Sequence, residues 1–547
     1  MDNARSIQPP VVDTSNSTPR VTGIDPRNLT VPGKPKASES ISPSVSTETT
    51  PVTVPSVQSG QYISAAEAPM PEIPLPYNLH RRYRFAASTD GKVFCIETSR
   101  NNPRALPIRS KKFLAIVRSE AQATGKRLTK VELDSQIDTI EGLTLEADIT
   151  EKVWLRVAKI DYGIEIDIGD ANDNRVKITP SGVEVLRTGS ATVFRHSDTM
   201  LCLALPGENG DWRLLDKYVN VAPSDFHLLI AWISYTIAHP KTGDAKYPIL
   251  VLQGGEGTGK TTLCKLLAQL IDPSGLGSRR LPSNEKDLAI ATQSAHLLCF
   301  DNMRSITPAM ADAICVAATG GSIASRQLYT DDEEHALRLH SAMILNGIHQ
   351  FIDQPDLAQR CLPLRLRPID RQARKSEHAL NAELAADFPA ILGGLYNLIA
   401  GILAALPKVE VTNPERMIEF VEWIAAMEQT EGVPPGIFQA LYSEALQNGQ
   451  LDTLMDNPLA AAIIEFMDNH HDDKYGDEQW SGTPTAFLQA LNFTVDPNTV
   501  RSRDWPRNAI ALSKRIPALQ ASLLSQGIKI ELSRGKNRAI TLTKVEV

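Results

Sequence analysis

The sequence predicts an α/β fold built on a parallel sheet, and three consecutive observations predict it. A short apolar run, Tyr247-Pro248-Ile249-Leu250-Val251-Leu252, reads as a buried strand. It leads into Gly254-Gly255-Glu256-Gly257-Thr258-Gly259-Lys260-Thr261, which fits the pattern GxxxxGK[ST]. Residues Thr261 to Leu270 then carry apolar side chains at helical spacing. Strand, glycine loop and helix in that order make the context of a phosphate site, so the expected core is an α/β P-loop NTPase. A glycine-rich turn matching the pattern by accident is the plain alternative, and the strand and helix on either side argue against it.

Each part of that loop has a physical task. The glycines let backbone N–H groups turn inward around phosphates, and the helix N-terminus adds the positive end of its dipole. Gly254, Gly255, Glu256, Gly257, Thr258, Gly259, Lys260, Thr261 and Thr262 are the expected nucleotide contacts. Lys260 is expected to neutralise the β- and γ-phosphates, and the Thr261 hydroxyl to hold Mg²⁺. The expected cofactors are therefore ATP and Mg²⁺.

A second apolar strand, Ala295 to Phe300, ends in Asp301, where a P-loop enzyme places the acid that orients its metal. A helix-capping aspartate before a turn is the alternative. The next residue is Asn302, which can position a water but cannot accept its proton, leaving the general base open among Glu256, Glu333 and Glu334. A third strand, Ala342 to Leu345, ends in Asn346-Gly347, either a turn or a polar side chain that senses the γ-phosphate. Arg360 lies beyond it, as an arginine finger for a neighbouring subunit or as a solvated surface residue. The expected catalytic set is Lys260, Asp301, Asn302, Asn346 and Arg360.

Bulk properties set the frame. A chain of 547 residues is too long for one core. Its net charge of −8 and pI near 5.8 give no global basic field, so nucleic-acid binding must come from local patches. Six cysteines stand singly without a CxxC, which fits a reducing cytoplasm rather than a zinc ribbon. No signal peptide is evident at the start. Residues 388–406 run without a charge, long enough for a membrane span. Pro389, Gly393, Gly394, Asn397 and Gly401 interrupt them, so a buried helix and no membrane partner are expected.

Along the chain, residues 1–76 are a Ser/Thr/Pro-rich tail expected to be disordered. Residues 77–150 read as a small helical region and 151–218 as an N-terminal β-rich domain. Asp167 and Asp170 in the latter read as acids on the wet face of a strand and in its turn rather than as a metal pair. The ATPase core is placed at 219–370 and a helical lid or connector at 371–472.

Residues 480–547 change sign. Ten basic residues face Asp496, Asp504, Glu531 and Glu546. Two helical patterns followed by two strands around Arg534-Gly535-Lys536-Asn537 read as a C-terminal winged-helix-like domain. Its recognition helix would carry Lys514 and Arg515, and its wing Arg534 and Lys536. A winged helix that docks protein instead is the alternative.

The order of segments GGEGTGKTT, LLCFDN, ATGGSIASRQLYTDDEE, MILNGI and DLAQRCLPLRL resembles the helicase superfamily 3 core. More narrowly it is similar to the ATPase of phage- and plasmid-type primase-helicases and of integrated mobile elements. The resemblance covers roughly 150–547 and implies an AAA+-like homo-oligomeric ring, usually hexameric, acting on single-stranded or forked DNA. It places Gly254, Gly259, Lys260 and Thr261 on the family's phosphate loop and Asp301 on its metal acid. Asn346 falls on the sensor, Arg360 on the finger and Arg326 on the pore-facing hairpin. The hairpin tip, Thr330-Asp331-Asp332-Glu333-Glu334, is acidic where a basic one is expected, and subunit packing is the alternative use. No zinc motif or polymerising carboxylate set precedes the ATPase. The expectation is an ATP-dependent DNA helicase or translocase replicating a phage, plasmid or integrated element. The rival is an ATP-switched DNA-binding assembly or initiator protein that does not unwind.

Overall fold

The computed structural model describes residues 79–242, 244–326, 334–347, 351–352, 354–370, 372, 375–412, 414–470, 478–502, 505–533 and 538–545. The described chain opens with strands β1 (Tyr83–Ala87), β2 (Val93–Glu97) and β3 (Arg104–Pro107), then helices α1 (Lys111–Ala123) and α2 (Lys130–Glu146). The strands correct the expectation of helix alone over 77–150. They are short and buried on both faces, with Phe85, Val93 and Cys95 packed with α1 and α2 residues and Ala86, Phe94 and Ile96 in a second cluster, which hides the alternation that marks a half-buried strand. Ser110 caps α1, and Thr129 with Glu132 forms a capping box that fixes the start of α2.

Next come β4 (Val153–Trp154), β5 (Val157–Ile160), β6 (Gly163–Asp167), β7 (Arg175–Thr179), β8 (Gly182–Leu186) and β9 (Val193–Arg195). They divide between two sheets. One has the order β1-β2-β3-β9-β4, and the other is the antiparallel meander β5-β6-β7-β8. Ile164, Ile166, Val176 and Ile178 of the meander join the main hydrophobic core of the molecule. Asp167 is fully buried, not on a wet face. It pairs with Arg175 and lies 2.5 Å from His196 Nε2, and these neighbours hold its carboxyl below the usual aspartate range against the cost of burial.

The central region holds α3 (Pro223–Ala238), β10 (Ile249–Gln253), α4 (Lys260–Ile271), α5 (Glu285–Ser294), β11 (Leu297–Met303) and α6 (Pro308–Thr319). The hairpin β12 (Gly321–Arg326) and β13 (Glu334–Leu339) follows, then β14 (Ala342–Gly347), α7 (Pro355–Ala358) and β15 (Cys361–Arg365). The sheet here is parallel, in the order β11-β14-β10-β15. Its strands are apolar up to their carboxyl ends because α3 and α4 pack with one face while α5 and α6 pack with the other.

Helices α8 (Glu377–Ala405), α9 (Ile418–Glu431) and α10 (Ile437–Met455) complete this core. Helix α8 contains the uncharged stretch and, by length and composition, is apolar enough to cross a membrane, but 61% of its most apolar window is buried inside the fold. Its glycines serve contact: a Cβ on Gly394 would sit 2.1 Å from the Trp212 nitrogen, and Gly207 N–H donates to the Pro389 carbonyl at 2.7 Å. The loop before α3 therefore lies directly on the helix backbone.

The C-terminal domain contains α11 (Pro458–Asp468), β16 (Gln479–Gly482), α12 (Pro484–Thr494), α13 (Pro497–Arg501), α14 (Ala509–Leu524), β17 (Ile528–Leu532) and β18 (Ile540–Lys544). Its antiparallel sheet has the order β16-β18-β17, and Leu459, Ile463, Phe487, Leu512, Ile516 and Leu542 share one core. The unit thus begins near 458 rather than 480. The sequence between 458 and 480 carries an acidic run at 472–478 that breaks its pattern.

Candidate nucleotide-binding site

The glycine loop lies at the carboxyl end of β10, where open parallel sheets bind ligands. Gly254, Gly257 and Gly259 all have positive φ, and Gly259 caps α4 in the left-handed conformation at φ 88°. A side chain on Gly254 would also meet the Leu366 carbonyl at 3.0 Å, so backbone conformation and space both demand glycine. Thr258 is buried and donates its hydroxyl to the Gly255 carbonyl at 3.0 Å, while Glu256 is exposed.

Lys260 is only 8% exposed and folds back over the loop, donating Nζ to the carbonyls of Gly254 at 2.5 Å and Gly255 at 2.7 Å. Burial pushes its pKa down, while Asp301 and Glu256 pull it back up. A phosphate entering the loop would give this ammonium an anionic partner in place of two neutral carbonyls.

Asp301 gathers the remaining groups. Thr261, in the first turn of α4, donates its hydroxyl to Asp301 Oδ2 at 3.1 Å. Asn346 on β14 donates Nδ2 to Asp301 Oδ1 at 2.7 Å. Sheet order makes this possible, because β14 lies between β10 and β11 with Asn346 level with Leu252. Asp301 N–H donates to the Arg279 carbonyl at 2.9 Å, where one residue pairs alongside β11 as a rudimentary neighbouring strand.

Asn302 has φ 57°, and the register of β11 against β14 shifts between Phe300 and Met303 at this point. Asparagine tolerates the left-handed region better than most residues, and a long acid does not. Its N–H donates to Asp301 Oδ1 at 2.8 Å and its side chain is exposed. The residue after Asp301 thus shapes the backbone that aims the acid.

Arg360 does not join this group. It immediately precedes Cys361, which is level with Ile249 at the far end of β10. Five strand residues separate that level from the loop, about 16 Å at 3.3 Å per residue. Its guanidinium pairs with Asp356 and donates to the Asp356 carbonyl at 2.9 Å, and Arg416 donates to Asp356 Oδ1 at 2.7 Å. The two arginines hold the Asp356 carboxyl below the usual range, Arg360 most strongly.

Of the expected DNA contacts, Lys514 and Arg515 are exposed on α14 and Arg326 is the last residue of β12. Arg534, Lys536, Glu333 and the rest of the hairpin tip at 327–333 lie outside the described residues. Among the described residues, no group of three or more His, Cys, Asp or Glu side chains is placed to hold a metal. One positioning residue had no sequence signal. Asn220 donates Nδ2 to the Thr258 carbonyl at 3.3 Å and to the Arg367 carbonyl, tying the loop to the segment after β15.

These features define a class: mixed α/β proteins whose candidate ligand loop, acid and amide converge at the strand ends of a parallel sheet. Residues 213–449 match the family model of the actinomycete integrative conjugative element replication protein, and residues 459–547 match its RepA C-terminal domain. Together these matches span more than half of the chain, which belongs to this family of mobile-element replication proteins. No curated protein sequence matches the chain. Among solved structures, it is similar to the apo C-terminal region of NrS-1, at 13% identity over 86% of this chain and 100% of that one, TM-score 0.36. It is also similar to JCV helicase with a bound phenoxyphenyl acetamide compound, at 13% identity over 41% of this chain and 67% of that one, TM-score 0.20.

Proposed function

We propose that this replication protein is an ATP-dependent DNA helicase or translocase built on an α/β P-loop (AAA+-like) core with a C-terminal winged helix. The observation that carries the reading is the convergence of Lys260, Thr261, Asp301 and Asn346 at one loop. The donor set fits a nucleotide with Mg²⁺: a hydroxyl and a carboxylate already in contact, beside an ammonium held by carbonyls alone. The bound metal would supply charge neutralisation at the phosphates. Lys260 would bind the β- and γ-phosphates, Thr261 and Asp301 would hold the metal, and Asn346 would orient the attacking water.

Distance supports the division of labour between subunits. Arg360 is too far along the sheet to serve its own loop, so it acts on a neighbour's nucleotide in a homo-oligomeric ring, for which we infer a hexamer. Single-stranded or forked DNA contacts Arg326 in the ring and Lys514, Arg515, Arg534 and Lys536 on the winged helix. The winged-helix reading is supported by the order of elements in this domain, with α11, α12 and α14 accompanied by the sheet β16-β18-β17. The rival reading is an ATP-switched assembly or initiator protein without unwinding. Asn302 favours it, since an exposed amide in the left-handed conformation gives no proton acceptor beside Asp301.

Strand displacement on forked DNA, with Lys260→Ala as the control, tests the choice. Unwinding by the wild type alone supports the motor. Nucleotide binding with no displacement supports the switch.

A further inference from the structure

Helix α12 buries Phe487, Leu488 and Leu491, all on one side. At 100° per residue Phe493 points opposite to them, and it is 92% exposed. Helix α14 buries Leu512, Ile516, Leu519 and Leu523, so Ile510 and Lys514 point away from the core, with Ile510 66% exposed. The end of α12 is tied to the lead-in of α14: Trp505, four residues before α14, donates its indole N–H to Asn492 Oδ1 at 2.8 Å. That bond holds the helical turn carrying Phe493 to the segment that leads into α14.

Among the described residues of the segment 493–515, the ionic side chains other than Asp496 are basic. Arg501, Arg507 and Lys514 are exposed. Asp496 is the acid nearest in sequence, and its carboxylate is committed to capping α13, accepting from the Asn498 N–H at 2.8 Å and the Thr499 hydroxyl at 2.5 Å. An exposed ring rimmed by cations suits a polyanion that also offers flat faces. An unpaired nucleic-acid strand has both, because every base stacks and every linkage is charged. A duplex keeps its base faces buried and would leave Phe493 without a partner.

We propose that Phe493, together with the exposed Ile510, Lys514, Arg501 and Arg507 of the segments that follow it, forms a stacking platform for an unpaired base of single-stranded DNA. The inference deepens the DNA reading of this domain and rests on it. It makes the domain a reader of strand ends or fork junctions rather than of groove sequence.

Fluorescence anisotropy on the full chain tests it, using labelled oligothymidine, a fork and a blunt duplex. Phe493→Ala should weaken oligothymidine and fork binding by about tenfold or more while leaving duplex affinity within about twofold, and Phe493→Tyr should restore stacking. Lys514→Ala should weaken all three DNAs and flatten their salt dependence. If Phe493→Ala leaves oligothymidine affinity unchanged while Lys514→Ala still weakens it, the platform is overturned and the DNA reading survives. If neither variant changes binding to any DNA, both fall. A fall in oligomer mass for Phe493→Ala at unchanged DNA affinity would overturn the platform and make this face an interface between copies.

Discussion

Two carboxylates flank strand β11, Asp272 against its start and Asp301 toward its end, and the two are built for opposite purposes. At its start, Asp272 closes α4 and accepts the His296 N–H at 2.6 Å and the Leu297 N–H at 3.3 Å. Its other oxygen takes the Nε of Arg156 at 2.8 Å. Arg156 is fully buried with φ 62°, and its remaining nitrogens donate to the carbonyls of Asp167, Ile168 and Leu201. At the other end, Asp301 bonds to Thr261 and Asn346 and opens to solvent. The same α4–β11 pair is thus sealed at one end and open at the other. A carboxylate enclosed by fixed donors holds structure. One facing an exposed hydroxyl can change partners as ligands arrive.

The contrast breaks most sharply by substitution. Arg156→Ala strands the Asp272 charge in the interior and should cost about 3–5 kcal/mol in denaturant unfolding. A loss below about 1 kcal/mol would mean that water reaches the pair and the two ends are alike. Asp301→Ala should do the reverse, changing stability by less than about 1 kcal/mol while lowering ATP turnover on the order of a hundredfold or more. Turnover near wild type would remove Asp301 from the site.

Acid should reach the sealed end first. Burial lowers the His296 imidazole to about 4 from its ordinary 6.5, with the nearby Lys241 adding to the effect, and burial brings His239 and His340 to about 4 as well. Between those values the unfolded chain binds more protons than the folded one, so stability should fall as pH drops from 6.5 to 4 and level off below. Unfolding midpoints against pH, for wild type and His296→Asn, measure it; a flat wild-type profile across that window would contradict burial of the neutral rings.

The smallest effect concerns Asn302. Asn302→Glu should lose about 1 kcal/mol from a left-handed position and gain no hydrolysis. A rise in turnover above about tenfold would show that this position can serve as a base after all.

How much of this was readable beforehand depends on chain distance. The loop, Asp301 and Asn346 were visible because each follows an apolar strand within a few residues. Their convergence needed the sheet order, which no local pattern carries. The sealed end was invisible, since Arg156 and Asp272 are 116 residues apart and neither stands in a motif. Asp167 misled for a related reason: alternation put it on a solvated face, but Arg175 and His196 close over it. Helix α8 was readable as buried because its glycines and proline suit contact with backbone. The C-terminal helices and hairpin strands emerged from periodicity, whereas α11 and β16 were lost across the acidic break.

The hairpin β12–β13 hands over to β14 after only His340 and Ser341. Both are gripped: His340 Nε2 lies 2.7 Å from the Ala245 carbonyl, and the Ser341 hydroxyl donates to the His296 carbonyl at 3.0 Å. The hairpin therefore joins the strand that ends in Asn346 through two anchored residues, with no free linker between them.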